Sequence, residues 1–350
     1  MRILVYEHFT HLGRDGAAAP LFRSGRAMWR AVARDLGALR GVRVASPPAG
    51  APRRILGRSL QAVDAALIIA PESQGTLERL AVLARRRGAL LLGAGPRSVR
   101  LAADKRRCGR MLRAAGISVP LPAAGDGRAG SGSFLRREGV IVVKPRRGCG
   151  SEGVVVARGA AGRRRAHRIA AAAAGRDGVV AEEFVAGPAG SASFLVRAGR
   201  TTGAPGDLLF LGLGRQRITG RDRSRAGAAA AVLEYRGGSI PWAPRQRRAA
   251  AAAARAAVLA LARAGGDLRG FVGVDFVVGP RGPVVVEINP RLTSSYLGLR
   301  RLYGRALVRA MLAAGRGDRL PRRLAARGCV RFHAAGEVRY TCAAVESPRR

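Results

Sequence analysis

Short, almost unbroken apolar runs alternate with stretches of helical period over the first hundred residues. The runs RILVY (2–6), VRVAS (42–46), AALIIA (65–70) and ALLLG (89–93) predict strands, while 24–39 and 75–88 repeat their apolar residues at helical spacing. Ser24 is placed to cap the first of these helices. Strands apolar at nearly every position must be covered on both faces, so this β-α alternation predicts a doubly wound parallel sheet over 1–100. No G-x-G-x-x-G follows the first strand, and a dinucleotide site is not marked.

Beyond residue 100 the pattern changes. A helix is predicted over 101–115, ending at Gly116 and followed by the extended ISVPLP. The composition of 123–133 predicts a flexible loop. Strands at 139–145 and 153–157, an alanine-rich helix (161–174) and a strand at 179–185 come next. Further strands at 191–197, 208–218 and 231–235 precede a long helix at 244–264. A strand pair at 271–278 and 284–289 follows, then a helix at 303–314. The last 35 residues are Arg-rich, with CVRFHAAG as their one strand candidate. No internal repeat is visible.

Composition changes this picture little. No apolar run approaches the roughly 18–20 residues of a membrane span, and the five-residue run at the N-terminus is too short for a signal-peptide core. Cys108, Cys149, Cys329 and Cys342 show no CxxC spacing, which leaves a reducing cytoplasm as the expected location. A net charge of +41 is the usual footprint of nucleic-acid binding. Here, however, the arginines are spread through every segment in company with Ala and Gly. That argues for a coding bias acting on surface positions and against a specific nucleic-acid partner, although weak, salt-sensitive polyanion binding is expected.

Only two of the 63 Lys and Arg residues are lysines, Lys105 and Lys144. A guanidinium is a broad planar fork and an ammonium a compact point charge, so a phosphate chain gripped in a narrow pocket can favour the ammonium. Lys144 ends a strand and leads into PRRGCGSEG, where Gly148, Gly150 and Gly153 bracket Ser151. Such a loop can aim backbone N–H groups at an anion. An ordinary glycine-rich hairpin, and a solvated lysine at a helix start, are the alternatives. On the phosphate reading, exchanging Lys144 for arginine does harm, while exchanging its neighbour Arg146 for lysine does little.

The stretch FVGVDFVVGPRGPVVVEINPR (271–291) reads as a hairpin. Centring its turn on Arg281 places Asp275 opposite Glu287. Like charges facing each other on neighbouring strands, roughly 5 Å apart, are destabilising unless a cation lies between them. Alternation puts Glu287 and Asn289 on one face. Two carboxylates and an amide oxygen suit Mg²⁺, with a pair of exposed edge-strand acids as the alternative. Arg291 follows directly, where a guanidinium could neutralise a transferring phosphoryl group or the carboxylate accepting it, with one more surface arginine as the alternative.

In order and spacing, Lys105, Lys144 with its glycine loop, AEEFVAG, Asp275 and EINPR resemble the ATP-grasp superfamily of carboxylate–amine ligases. The resemblance covers about 100–300 and implies a mixed α/β architecture. Residues 1–100 would be a Rossmann-like pre-ATP-grasp domain, 101–185 the small lid lobe, 186–315 the large lobe with the metal site, and 316–350 an Arg-rich extension. It implies that Lys105 and Lys144 hold the phosphates of ATP under a closing loop (148–153). Glu182, Glu183, Phe184 and Val185 would form the linker whose backbone meets adenine. Asp275, Glu287 and Asn289 would carry Mg²⁺, with Mn²⁺ an allowed substitute, and Arg291 would contact an acyl phosphate. The chain departs from many members in lacking a carboxylate for the ribose shortly after the linker, offering only Ser191 and Ser193.

A narrower resemblance, through MRILVYEHFT, RSGRAMWRAV, APESQGTLERL and EINPRLTSSYLGL, is to the tyramine–glutamate ligase group of methanofuran-type cofactor synthesis. It implies glutamate and an aromatic amine as small-molecule substrates. Glu7, His8, Thr10 and Glu72 lie at strand ends where substrate groups are often found, with ordinary loop polars as the alternative. The implied reaction is amide formation through an acyl phosphate, with release of ADP and phosphate. The alternative from another class is a basic nucleic-acid-binding protein on a disused ligase fold, against which the intact set Lys105, Lys144, Asp275, Glu287 and Asn289 argues.

Overall fold

The structure, a computed structural model, describes residues 1–13, 18–51, 53–123, 139–197, 207–221 and 229–341. Most of the expected loop 123–133 lies outside them. Strands β1 (Arg2–Glu7), β2 (Arg43–Ala45), β3 (Ala65–Ile69) and β4 (Leu90–Leu91) form a parallel sheet in the order β2-β1-β3-β4. All five residues of β3 are buried, as its unbroken apolar run requires. Helices α1 (His8–Leu12), α2 (Ala19–Gly37), α3 (Arg53–Gln61) and α4 (Thr76–Arg86) link the strands. Ser24 is not the cap of α2, which begins five residues earlier with Pro20 in its first turn, where a missing N–H costs nothing. Helix α3 escapes a periodicity reading because its short arginine-rich span buries few apolar side chains, Leu56 and Leu60 among them.

The helix expected over 101–115 is two helices, α5 (Pro96–Ala103) and α6 (Lys105–Ala114). Asp104 is extended between them, and its carboxylate accepts the Arg107 N–H at 3.1 Å as the cap of α6. The break makes Lys105 the first residue of a new helix, buried rather than solvated.

A ten-stranded antiparallel sheet contains the remaining strands: β5 (Val140–Pro145), β6 (Val155–Arg158), β7 (Val179–Glu183), β8 (Ala189–Val196), β9 (Leu208–Arg221), β10 (Ala230–Ile240), β11 (Gly270–Gly279), β12 (Gly282–Asn289), β13 (Val330–His333) and β14 (Val338–Tyr340). Its main path runs β12-β11-β8-β9-β10-β6-β5-β7, and β13 joins β10 and β14. The alanine-rich helix α7 (Gly159–Ala174) packs Ala166 and Ala170 on Val143 and Val155. Helix α8 (Arg247–Gly265) buries Ala250, Ala254, Ala257, Val258 and Leu261, one stripe at helical spacing, in a core shared with β8, β11 and the parallel sheet. Each methylene so buried contributes roughly 0.8 kcal/mol.

Helix α9 (Ser295–Tyr303) lies N-terminal to the expected final helix, which runs as α10 (Arg305–Arg316). Its Gly298 is a packing residue, not a breaker: a Cβ there would meet the Phe332 ring at 2.9 Å. At the tip of the β13–β14 hairpin, Gly336 lies against Ala27 of α2. The C-terminal hairpin thereby braces the helix that walls the cavity described next.

Candidate active site

Lys105 and Lys144 approach one space from different elements. The Lys105 Nζ lies 2.9 Å from Glu287 Oε1 and donates to the Gly148 carbonyl at 3.4 Å. Burial works against its charge, but Glu287, with Glu72 and Glu182 behind it, holds the ammonium above its ordinary range. Lys144, 3% exposed, lies 2.5 Å from Glu182 Oε2. The glycine loop turns after β5 on the positive φ angles of Gly150 (65°), Ser151 (62°) and Gly153 (67°). At Gly153 a Cβ would stand 2.5 Å from that of Ala173, so glycine is required. Cys149 lines the space, yet burial pushes its thiol up to about 12 and leaves it no nucleophile. Arg146, expected to be an indifferent neighbour, forks onto Asp104 at 2.9 and 2.5 Å instead.

Asp275 faces Glu287 across β11 and β12. The hairpin closes more tightly than a turn centred on Arg281 allows, with Gly279 pairing Gly282. A bulge restores the register, because Phe276 pairs Val285 and Val286 is the extra residue. Asp275 accepts from Gln216 Nε2 at 2.8 Å and from Asn289 Nδ2 at 2.9 Å. Its carboxyl forms part of a cavity wall surrounded by protein, and burial followed by the Glu287 charge pushes it up to about 7. Among the described residues no three His, Cys, Asp or Glu side chains gather as a metal cluster. The candidate set is two carboxylates completed by the Asn289 amide. Hard oxygen donors and a carboxylate pair that repels itself fit Mg²⁺.

The parallel sheet supplies the opposite wall. Glu7 ends β1 and curls back to cap α1, accepting from Phe9 N (3.3 Å), Thr10 N (2.7 Å) and Thr10 Oγ1 (2.6 Å). Burial raises its carboxyl above the ordinary range against those bonds. Gly25 of α2 makes room for it, since a Cβ would lie 2.3 Å from Glu7 Oε2. Glu72, beyond β3, accepts two bonds from Arg291 at 2.8 and 3.0 Å, and Arg291 also reaches Asn289 Oδ1 at 3.4 Å. Burial opposes the Arg291 charge, but Glu72 outweighs it and leaves the guanidinium firmly protonated. His8 does not line the cavity; its ring lies edge-on to Phe9.

Apart from Glu72, Thr10, Asp104 and Arg146, which like His8 stand outside its lining, these groups enclose one cavity of about 290 Å³. It brings together Lys105, Lys144, Gly148, Gly150, Ser151, the segment Glu182 to Val185, Asp275, Glu287, Asn289 and Arg291. Gly153 turns the loop from behind. In the segment, the Glu183 and Phe184 N–H groups are committed to the carbonyls of Leu121 and Val140. Of the two serines, Ser191 lines the cavity, whereas Ser193 is buried against Ser295 at 3.1 Å. Gln216, Gly25 and Tyr235, which accepts from Ser294 Oγ at 3.0 Å, complete the walls. Sequence reasoning passed over all three, because each sits inside a helix or strand as an ordinary member of it.

Among the described residues no helix is long and apolar enough to cross a membrane. The family model for an ATP-grasp domain matches 102–295, and that for a pre ATP-grasp 3 domain matches 29–99. An ATP-grasp superfamily protein from Archaeoglobus fulgidus superposes with a TM-score of 0.62 at 22% identity, over 95% of this chain and 92% of that one. N5-carboxyaminoimidazole synthetase from Staphylococcus aureus, complexed with ADP, gives 0.66 at 14% identity over 95% and 81%. An L-amino acid ligase from Bacillus licheniformis gives 0.56 at 17% over 90% and 73%. At these identities the likeness is one of fold. No curated protein matches the chain in sequence.

Proposed function

This chain belongs to the ATP-grasp family, and from that premise we propose that it is an ATP-dependent ligase joining a carboxylate to an amine. The observation that carries the proposal is the single cavity holding two buried lysines, a facing carboxylate pair and a buried arginine, with one wall supplied by the parallel sheet. The acid's oxygen attacks the γ-phosphorus and ADP leaves. The amine nitrogen then attacks the acyl carbon, a proton is lost and phosphate departs. Lys105 and Lys144 grip the phosphates beneath the loop 148–153, Glu182 to Val185 border adenine, and Arg291 meets the charge that develops on the acyl phosphate. Ser191 is the group closest in kind to a ribose contact.

Asp275, Glu287 and Asn289 would hold Mg²⁺, or Mn²⁺, which when bound neutralises phosphate charge. The four-part division at 100, 185 and 315, and a cytoplasmic location, belong to the same proposal.

Glutamate and an aromatic amine such as tyramine are the substrates this reading favours, which would place the chain with methanofuran-type cofactor synthesis. Phe9, Leu21, Met28 and Ile69 give the parallel-sheet wall an apolar surface around the Glu7 carboxylate. A ring on an ammonium-bearing stem has its complement there. The test supplies Mg²⁺-ATP, glutamate and a panel of amines, following phosphate release and product mass. Release that requires both glutamate and an aromatic amine, with a product lighter than their sum by one water, supports the assignment. A faster acid–amine pair of another kind removes the substrates and keeps the ligase. No release with any pair removes the ligase.

A further inference from the structure

Lys105 opens α6 and Lys144 lies near the end of β5, so no shared strand pairing fixes the distance between them. Four hydrogen bonds do, all between residues 104–105 and 146–148. Arg146 forks onto Asp104 at 2.9 and 2.5 Å, the Lys105 N–H donates to the Arg146 carbonyl at 3.1 Å, and Lys105 Nζ reaches the Gly148 carbonyl at 3.4 Å. Asp104 is completely buried and also caps α6. Arg146 is tied on its far side, its N–H donating to the Gly178 carbonyl at 2.9 Å. Neither residue lines the cavity.

We propose that Asp104 and Arg146 are a positioning pair that sets the separation of the two ammonium groups for a nucleotide's phosphates, resting on the nucleotide-binding part of the reading above. A bidentate guanidinium–carboxylate contact fixes distance and plane at once, which a single hydrogen bond does not. Two cations closing on one phosphate chain need that precision, because a displacement of about 1 Å at such a site can cost on the order of a hundredfold. The buried charge on Asp104 is sustained by the pair: burial pushes its carboxyl up, and Arg146 with the Arg107 N–H brings it below the ordinary range.

The experiment compares MgATP affinity, without acid or amine, and the KM values for ATP and for the amine. Asp104→Asn keeps shape and removes charge; Arg146→Lys keeps charge and removes the fork. Exposed Arg255 of α8, changed to Gln, controls for lost charge. The expected result is a tenfold or greater loss of MgATP affinity in Asp104→Asn, a smaller loss in Arg146→Lys and none in Arg255→Gln, with the amine KM unchanged. Arg146→Lys, on a partly exposed side chain, keeps the test open should Asp104→Asn fail to fold. Full affinity in a folded variant overturns the proposal, as does an equal rise in both KM values, which is the mark of general loosening. A wild-type chain that binds no MgATP overturns the nucleotide reading and this pair with it. One that binds MgATP but forms no amide overturns the ligase reading alone, and the variants still decide the pair.

Discussion

Arg291 and Glu72 meet through two hydrogen bonds across 219 residues of chain, at 2.8 and 3.0 Å, with 11% and 4% of their side chains exposed. The contact joins the end of the carboxylate hairpin to the loop after β3. It also means that the arginine proposed to meet an acyl phosphate is held in place by the opposite wall. Removing one partner of such a buried pair strands the other's charge, at a cost of about 3–5 kcal/mol. Glu72→Ala is therefore expected to lower the urea midpoint strongly and to raise the KM for the acid. A midpoint shift no larger than that of an exposed pair such as Arg316–Asp318 would contradict this placement.

Lys144→Arg preserves charge and enlarges the group in a space where Nζ is already 2.5 Å from Glu182 and 3% of the residue is exposed. The expected outcome is a tenfold or greater fall in kcat/KM for ATP in a folded protein. Arg255→Lys, on the exposed face of α8, should match wild type. Equal kinetics in both variants would make the two lysines an accident of composition.

Asp275→Asn and Glu287→Gln remove charge rather than shape. Both should stay folded and release no phosphate from Mg²⁺-ATP. Glu287→Gln carries a second effect, because it also takes the counter-charge from buried Lys105 and should bring the lysine's pKa down. Amine titration by NMR would show this without any turnover. Normal phosphate release by either variant would dismiss the hairpin as the metal site.

The Asp275 carboxyl, raised from 3.8 to about 7, binds its proton more tightly folded than unfolded. Its contribution to stability is thus fully present below pH 4 and is lost as pH rises through 7. The metal-free protein should melt at a higher temperature at pH 6 than at pH 8, with much of that difference missing in Asp275→Asn. Mg²⁺ must displace the proton, so its affinity should increase over the same interval. A melting temperature that is flat from pH 6 to 8 in the wild type would refute the raised carboxyl.

What was legible in the sequence was local. The apolar runs of β1 and β3 follow from periods of a few residues, and Lys105 and Lys144 stand out against an arginine background, whereas Asp275 and Glu287 face each other because the bulge at Val286 offsets a tighter turn than the one expected. The break at Asp104 was hidden because α5 and α6 continue one apolar rhythm, and the extended backbone, the cap bond from Arg107 and the ion pair with Arg146 that mark the boundary belong to the fold. Gln216 on Asp275 and Glu72 on Arg291 leave no periodic trace, since their partners are brought by the fold from 59 and 219 residues away. The packing of Gly298 against Phe332 is hidden for the same reason, since Phe332 lies in a strand whose place in the sheet the sequence does not announce.

The bulge at Val286 gives the hairpin a parity. Counted out from the two-residue turn at Pro280 and Arg281, the strands hold one residue more on the β12 side before Glu287 than on the β11 side before Asp275. Side chains alternate at every step, so a second extra residue on the β12 side, with no second bulge to absorb it, would turn one acid away from the other. Paired changes, one in each strand, would lengthen the hairpin and keep the acids opposed. Deleting Val286 alone closes the bulge, and Asp275 should then pair Glu287 in an unbroken ladder with every charged residue kept. The facing of the two acids therefore tolerates the loss of the bulge but not an uncompensated insertion in β12.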